Sequence, residues 1–178
     1  MAVASDSARI AASVRTAREY LNHHPDEARS TDPSARATVE SGLRTVVEGP
    51  NSWRIETDMA TGVGGGGSAP SPGWLLRSAL ASCDAVLIAM QCAVEGVTFT
   101  RLEAEVISES DDRGLLGLDA VPAGPLRMGT TIRIEASDTP PVQFDAIVER
   151  ALRRSPVADA IRRAVPVTVN IALLPAAR

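Results

Sequence analysis

The sequence contains no lysine, because all eighteen of its basic residues are arginine. That absence excludes a Schiff-base lysine and the lysine of a P-loop. Aromatic residues make up only 3% of the chain, so we expect an aliphatic core and no aromatic platform on which nucleic-acid bases could stack. The formal net charge is -4. Without a basic excess, the composition predicts no nucleic-acid partner.

Cysteine is also scarce, since Cys83 and Cys92 are the two in the chain. Within one helix, residues at this spacing are about 13.5 Å apart along the axis and on opposite faces, whereas a disulfide needs Cα atoms within roughly 7 Å. The pair therefore fits a reducing compartment, and we expect a cytoplasmic protein. No stretch reaches ~18 apolar residues free of charge, and the N-terminus lacks the apolar segment of a signal peptide. We therefore expect no membrane association.

One helix dominates the predicted structure. Ser71 before Pro72 is typical of a helix start, because a hydroxyl caps the first turn and proline fits its first position. Gly96 is typical of a helix end. Apolar side chains between these signals recur at spacings of three and four: Leu76, Leu80, Cys83, Leu87, Met90 and Val94. Polar residues are rare from Ala79 to Val94, so we predict a helix buried on most sides with Cys83 in its middle.

Shorter elements surround this helix in the sequence. We predict a first helix over residues 5–22, a linker to residue 33, three short strands over 36–58, strands over 102–109 and 127–136, helices over 138–153 and 157–164, and a final strand over 166–174. Strands, a long helix, more strands, helices and a closing strand indicate an α+β fold rather than alternating βαβ units. We divide the chain into an N-terminal helical arm with its linker, 1–33, and a main domain, 34–178.

Four consecutive glycines, 64–67, precede the long helix. They could suggest a phosphate-binding loop, but no Gly-Lys-Ser/Thr follows, and no GxGxxG pattern opens a helix after a strand. We interpret residues 59–69 as a flexible loop. The two histidines, His23 and His24, are adjacent and have no partner at metal-ligand spacing. We therefore expect neither a cofactor nor a metal.

Several separated segments resemble the OsmC/Ohr superfamily, the osmotically induced protein C and organic hydroperoxide resistance proteins. The segments are Pro70-Ser71-Pro72-Gly73, Ala79-Leu80-Ala81-Ser82-Cys83, Asp112-Arg113-Gly114-Leu115-Leu116-Gly117, Val121-Pro122-Ala123-Gly124-Pro125-Leu126, Arg154-Ser155-Pro156-Val157 and Val165-Pro166-Val167-Thr168-Val169. They cover roughly residues 35–174 and leave the first helix outside. The resemblance implies an OsmC-like fold, with antiparallel sheets wrapped around a central buried helix in an intertwined homodimer.

The resemblance also implies a thiol peroxidase, in which one cysteine attacks the peroxide, an arginine and a glutamate hold its thiolate, and a second cysteine resolves the sulfenic acid. Cys83 matches the attacking cysteine. Arg44 is the best match for the arginine, with Arg36 second. Ser155 stands where the resolving cysteine would be, and Gly73 stands where the glutamate of the hydroperoxide-resistance branch would be; Trp74 takes the place used by other branches. A peroxidase of this kind would use a single cysteine and need an external thiol as reductant.

Two functions remain open at this point. Cys83 could be the nucleophile of a thiol-dependent hydroperoxide reductase, held as a thiolate by Arg44. Against this, Asp84 is adjacent and a carboxylate disfavours a thiolate, although one residue further along a helix it points about 100° away. Alternatively, Cys83 is a small buried hydrophobe, and the chain is a degenerate member that binds a small hydrophobic ligand at the dimer interface. We interpret Cys92 as a core residue.

Overall fold

The fold is described from a computed structural model in which residues 2–118, 120–136 and 140–173 are described. In chain order its elements are α1 (Ala2–His23), β1 (Arg36–Ser41), β2 (Arg44–Glu48), β3 (Arg54–Thr57), α2 (Pro72–Glu95), β4 (Arg101–Glu109), α3 (Asp112–Leu115), β5 (Arg127–Glu135), α4 (Pro141–Leu152) and α5 (Pro156–Arg163). Short 3-10 turns lie at Pro25–Ala28, Pro50–Ser52 and Thr61–Val63. The α+β prediction is confirmed.

The ends of α2 are set by the signals that predicted them. The Ser71 hydroxyl accepts a hydrogen bond from the Trp74 backbone N–H at 3.2 Å, which satisfies one of the free donors of the first turn. At the other end Gly96 adopts φ 70°, a left-handed conformation that costs glycine little.

By length and composition α2 could cross a membrane, since an 18-residue window has a mean hydropathy of 1.4. The helix still contains Arg77, Asp84 and Glu95, so it does not provide ~18 apolar residues free of charge. A core helix passes the same test. Here α2 is packed by α1, α4 and β4, so it serves as a core helix.

The deeply buried stripe of α2 differs from the predicted apolar one. Its fully covered residues include Leu80, Asp84, Ile88 and Gln91, which follow one another at spacings of four, four and three and therefore share a face. Two of the four are polar. Cys83, on the neighbouring face, is half-buried. A polar residue can occupy such a stripe only if it finds hydrogen-bond partners there.

The apolar core lies between α2 and α4. Ile88 and Ile147 are fully buried and pack with Cys92, Val97 and Ala151. Half-buried side chains from the second sheet complete this cluster. The helix α1 packs along α2 as well, so the arm lies against the main body of the chain.

Both sheets are antiparallel. In the first, β2 lies between β1 and β3, with Thr45 opposite Thr57. In the second, β4 pairs with β5 along its whole length, from Arg101 opposite Glu135 to Glu109 opposite Arg127. The predicted strands in these regions are confirmed to within one or two residues.

The predicted final strand is wrong for this single chain, because the described residues 165–173 form no strand. Apolar side chains nevertheless alternate along this segment and are exposed: Val165, Val167, Val169, Ile171 and Leu173. A strand exists only where a second strand supplies hydrogen-bond partners, and none of the described residues does so here. Residue 174 lies outside the described residues, as do residues 138 and 139, where the helix predicted over 138–153 was expected to begin.

The glycine-rich segment is not the flexible loop that was predicted. The Asp58 carboxylate accepts hydrogen bonds from the backbone N–H groups of Met59, Gly66 and Ser68 and from the Ser68 hydroxyl. These bonds hold the pKa of Asp58 at about 2, below its ordinary value. A Cβ at Gly65 would lie 2.0 Å from the Met59 carbonyl oxygen. The Asp58 carboxylate thus fixes the segment that leads into α2. It also accepts the backbone N–H hydrogen bonds with which a loop of this kind would otherwise bind a phosphate.

Candidate functional site

The candidate site is centred on Cys83, half-way along α2. Its side chain is half-buried, whereas Cys92 is 1% exposed. The Ser155 Oγ lies 3.4 Å from the Cys83 Sγ, a hydrogen-bonding distance for sulfur. This contact joins positions 72 residues apart in the sequence. Cys83 therefore has a specific polar neighbour and is not enclosed by apolar side chains alone.

Ser155 occupies its place because it begins α5. Its side chain caps that helix, accepting a hydrogen bond from the Ala158 backbone N–H at 3.3 Å, which is typical of a serine that precedes a proline at a helix start. The same hydroxyl donates to the Asp84 Oδ1 at 2.9 Å. Ser155 is 1% exposed. One fully buried hydroxyl thus contacts both Cys83 and Asp84.

Asp84 is a buried carboxylate with hydroxyl partners. Besides Ser155, it accepts a hydrogen bond from the Thr130 Oγ1 on β5 at 3.2 Å. The residue is 3% exposed, and no arginine forms an ion pair with it in the part of the chain that the structure describes. Buried carboxylates are stable only when hydrogen bonds replace water. Here two hydroxyl groups from two different elements do so.

Sequence reasoning missed the roles of Asp84 and Thr130. It placed Asp84 about 100° around the helix from Cys83, and the two side chains do leave α2 on adjacent faces. The Ser155 hydroxyl bridges them from outside the helix. One signal was available, since an aspartate within the most apolar helix of the chain requires a hydrogen-bond partner from elsewhere.

The structure does not bring Arg44 to Cys83 within one chain. Arg44 begins β2 and forms an ion pair with Glu56 at 2.7 Å, while its buried Nε has no hydrogen-bond partner among the described residues. Arg36 lies at the exposed start of β1. Among the described residues, no hydrogen bond or ion pair joins either arginine to Cys83. The assignment of the site arginine stays a prediction.

Gly73 and Trp74 lie in the first turn of α2, before the site. Trp74 is 49% exposed, and its backbone N–H bonds to the Ser71 cap. Neither residue offers a carboxylate. Asp84 is the carboxylate that reaches the neighbourhood of Cys83, through Ser155.

Cys92 belongs to the core. It packs with Ile88, Val97 and Ile147, and burial, together with the charge of Glu95, raises the pKa of its thiol to about 11. Such a thiol stays protonated and unreactive at neutral pH. This geometry agrees with the interpretation of Cys92 as a core residue.

A cleft of about 500 Å³ lies between the first half of α2, β5 and α5 and reaches the site at Asp84; Cys83 and Ser155 are not among its lining residues. Its walls are mostly aliphatic and include Leu76, Leu80 and Met128, with Asp84 and Thr130 among the polar lining residues. Clefts of this size, mostly apolar with a few polar groups, are typical of small-molecule sites. Within the described residues, no group of three His, Cys, Asp or Glu side chains could hold a metal ion.

Comparison with known proteins gives a family and a fold. A family model described as OsmC-like protein matches residues 65–170. No curated protein sequence matches the chain. Among solved structures, an osmotic stress induced and detoxification response protein from Psychrobacter arcticus aligns at 23% identity with a TM-score of 0.59, over 75% of this chain and 90% of that one.

Two further structures are similar. An organic hydroperoxide resistance protein OsmC from Legionella pneumophila aligns at 20% identity with a TM-score of 0.55, over 75% of this chain and 91% of that one. An OsmC-like protein from Mycoplasma pneumoniae aligns at 12% identity with a TM-score of 0.63, over 75% of this chain and 89% of that one. At these identities the likeness shows the fold.

Proposed function

Because the chain belongs to the OsmC-like protein family, whose model matches more than half of it, we propose that it is a thiol-dependent hydroperoxide reductase with Cys83 as its single peroxidatic cysteine. The observation that carries the proposal is the placement of Cys83. It is half-buried, it contacts the Ser155 hydroxyl, and it is next in sequence to Asp84, which lines a cleft that could admit a small molecule. The similar Legionella structure is described as an organic hydroperoxide resistance protein, which supports this reaction class.

The proposed reaction begins with the sulfur of Cys83 attacking one oxygen of the peroxide. A sulfur–oxygen bond forms, the oxygen–oxygen bond breaks, and the departing oxygen takes a proton to leave as an alcohol or as water. Cys83 becomes a sulfenic acid, the first reversible step of cysteine oxidation. Two equivalents of an external thiol then return it to the thiol, releasing a disulfide and water. No cofactor enters this cycle.

The neighbours of Cys83 support a one-cysteine cycle. A second thiol would resolve the sulfenic acid as an internal disulfide, but the side chain 3.4 Å away is the Ser155 hydroxyl, which is no nucleophile toward sulfur. Cys92 is fully buried in the core. The reductant therefore has to reach Cys83 from solution, and a half-buried thiol allows this approach.

The proposal includes a homodimer, which would explain the exposed apolar residues 165–173 and would cover the exposed side chains of the first sheet, Val39, Trp53 and Ile55. Unpaired edges and apolar faces of this kind are normally covered by another chain. Arg44 from a second copy could then stabilise the Cys83 thiolate, since within one chain it is bound to Glu56.

A second function is favoured by the cleft itself. Its aliphatic walls and volume of about 500 Å³ suit a small hydrophobic ligand. In that case Cys83 would not react, and replacing it would change only local packing.

Peroxide consumption tests the proposal. Wild type, Cys83→Ser and Cys92→Ser are assayed with cumene hydroperoxide or hydrogen peroxide and a dithiol reductant, and sulfenic acid is trapped and located by mass spectrometry. We expect Cys92→Ser, the matched control, to turn over like wild type, and Cys83→Ser to lose turnover. Equal consumption by wild type and Cys83→Ser, or no consumption with Cys83 remaining a thiol, would contradict the proposal and turn attention to ligands of the cleft.

A further inference from the structure

We propose that Asp84 positions the Ser155 hydroxyl and holds the proton that Cys83 loses during its reaction, so that Cys83, Ser155 and Asp84 form a proton relay. This inference rests on the proposed reactivity of Cys83 and adds a residue to it. It also explains how Cys83, which is bonded to no arginine among the described residues, could react at neutral pH.

The direction of the relay follows from the single proton on Ser155. Its hydroxyl lies 2.9 Å from an oxygen of Asp84 and 3.4 Å from the sulfur of Cys83. A carboxylate oxygen is the stronger acceptor and is also nearer, so the hydroxyl proton goes to Asp84. The lone pairs of the Ser155 oxygen then remain free to accept the Cys83 S–H and the Ala158 N–H.

Charge balance supports the same arrangement. A Cys83 thiolate formed next to an ionised Asp84 would place two negative charges together in a buried site, which is costly. If the proton passes to Asp84, the pair carries one negative charge before and after the transfer. Thr130 holds the other carboxylate oxygen throughout, so the carboxyl group keeps its orientation.

The step balances within the site. As the sulfur bonds to the peroxide oxygen, the S–H proton moves to the Ser155 oxygen while the Ser155 proton moves to Asp84. The oxygen–oxygen bond breaks in the same step, and its electron pair leaves on the departing oxygen. The proton on Asp84 then returns through Ser155 or solvent to that oxygen. The products are the sulfenic acid and an alcohol, and Asp84 is ionised again.

Other charged groups around the relay are mostly arginines, which do not titrate in this range. Arg127 of β5 and Arg162 of α5 line the cleft. Arg77 of α2 is bonded to Ser108 on β4, and Arg154 is bonded to Gln91. Arg18 of α1 lies further along α2. Asp159 of α5 is paired with Arg163. Among the described residues, Cys83 and Asp84 are therefore the titratable pair in the relay.

The test is the pH profile of Cys83 alkylation by iodoacetamide, followed for the Cys83 peptide by mass spectrometry from pH 6 to pH 9. Four proteins are compared: wild type, Asp84→Asn, Ser155→Ala and Thr131→Val. Thr131→Val is the matched control, because it removes a hydroxyl from the next, exposed position of the same strand, on the other face of β5 from Thr130. Circular dichroism confirms that each variant is folded, and if Asp84→Asn is not, Ser155→Ala and Thr131→Val carry the comparison.

We expect wild type and Thr131→Val to react at nearly constant rates from pH 6 to pH 8, because the base lies within the site. In Asp84→Asn and Ser155→Ala the Cys83 proton has to leave to solvent. The alkylation rate should therefore fall about tenfold for each unit by which the pH is lowered from 8 to 6. At pH 9 Asp84→Asn should exceed wild type, because the negative charge is gone, while Ser155→Ala should not. This crossing of the two profiles would not arise from a purely structural role of Asp84.

Two outcomes overturn the relay: an Asp84→Asn profile as flat as that of wild type, or an Asp84→Asn rate above wild type at every pH, which would show that Asp84 only repels the thiolate. Peroxide consumption measured on the same proteins separates this inference from the proposed function. Crossing profiles without peroxide consumption would support the relay and overturn the peroxidase. Peroxide consumption by wild type with an unchanged Asp84→Asn profile would support the peroxidase and overturn the relay.

Discussion

The position of Ser155 predicts that one substitution, Ser155→Cys, will create a disulfide with Cys83. The Ser155 Oγ lies 3.4 Å from the Cys83 Sγ, while a disulfide needs sulfur atoms about 2 Å apart. A sulfur reaches further from Cβ than an oxygen does, and rotation of the two side chains can close the remaining gap. The proposed one-cysteine site would then become a two-cysteine site.

The size of the effect follows from the loop that the bond closes. Positions 83 and 155 are 72 residues apart, and a cross-link over that distance lowers the entropy of the unfolded chain by an amount equivalent to about 4 kcal/mol at 25 °C. The substitution also removes the α5 cap, at about 1 kcal/mol, and the hydrogen bond to the Asp84 carboxylate, at about 2 kcal/mol. Reduced Ser155→Cys should therefore be about 3 kcal/mol less stable than wild type, and the oxidised form about 1 kcal/mol more stable.

Urea unfolding measures the difference between the two forms. With a slope of about 2 kcal/mol per M, oxidised and reduced Ser155→Cys should differ by about 2 M in unfolding midpoint. Ser155→Ala is the matched control, because it loses the same cap and hydrogen bond but cannot form the disulfide, so its unfolding midpoint should not show this difference of about 2 M. Coincident midpoints for the two forms, or peptide mapping that finds no cross-link between Cys83 and position 155, would refute the placement of Ser155 beside Cys83.

Two further predictions concern stability. Ile147→Ala should lower the free energy of unfolding by about 3 kcal/mol, because the side chain is fully buried against Ile88. The control Val142→Ala lies on the same helix at a position 74% exposed and should change this free energy by less than about 0.5 kcal/mol. Equal losses for the two variants in urea unfolding would contradict the described core. Asp58→Asn should be less stable than wild type at neutral pH, because its carboxylate accepts four hydrogen bonds. The folded pKa of about 2 lies below the ordinary 3.8, so the stabilisation by Asp58 is fully present above that ordinary value and is lost as the pH falls toward 2. Urea midpoints measured from pH 7 downward should converge for the two proteins, and a difference that persists at pH 2 would contradict this assignment.

The sequence predicted most of the fold where local signals decide the structure. Helix α2 begins at Pro72, after the Ser71 cap, and ends at Glu95, before Gly96, because each of these signals acts within the turn next to it. The helix predicted over 157–164 is α5, which has Ser155 as its cap and Pro156 as its first residue. The strands β4 and β5 were found from alternation alone.

Features that depend on distant partners were harder to predict. The segment 165–173 has the alternation of a strand, but alternation does not supply the second strand that makes it one. The contact of Asp84 with Ser155 joins residues 71 positions apart, and no local pattern records it. Arg44 was chosen as the best match for the arginine of the OsmC/Ohr proteins, and a match in sequence does not tell whether its partner is Glu56 or Cys83.

The hydrogen bonds that Asp58 accepts from Met59, Gly66 and Ser68 also have a consequence for which substitutions this loop can accept. A run of four glycines looks like low-complexity sequence, in which any residue should be exchangeable for any other. Yet a side chain at Gly62 would meet no atom within 4 Å, whereas one at Gly65 would collide with the Met59 carbonyl oxygen. Mutational tolerance should therefore change sharply within a few positions of the same loop. Glycine is required at position 65 because the loop folded around the Asp58 carboxylate brings the backbone of Met59 too close for a side chain. The four glycines are therefore not interchangeable, although they look alike in the sequence.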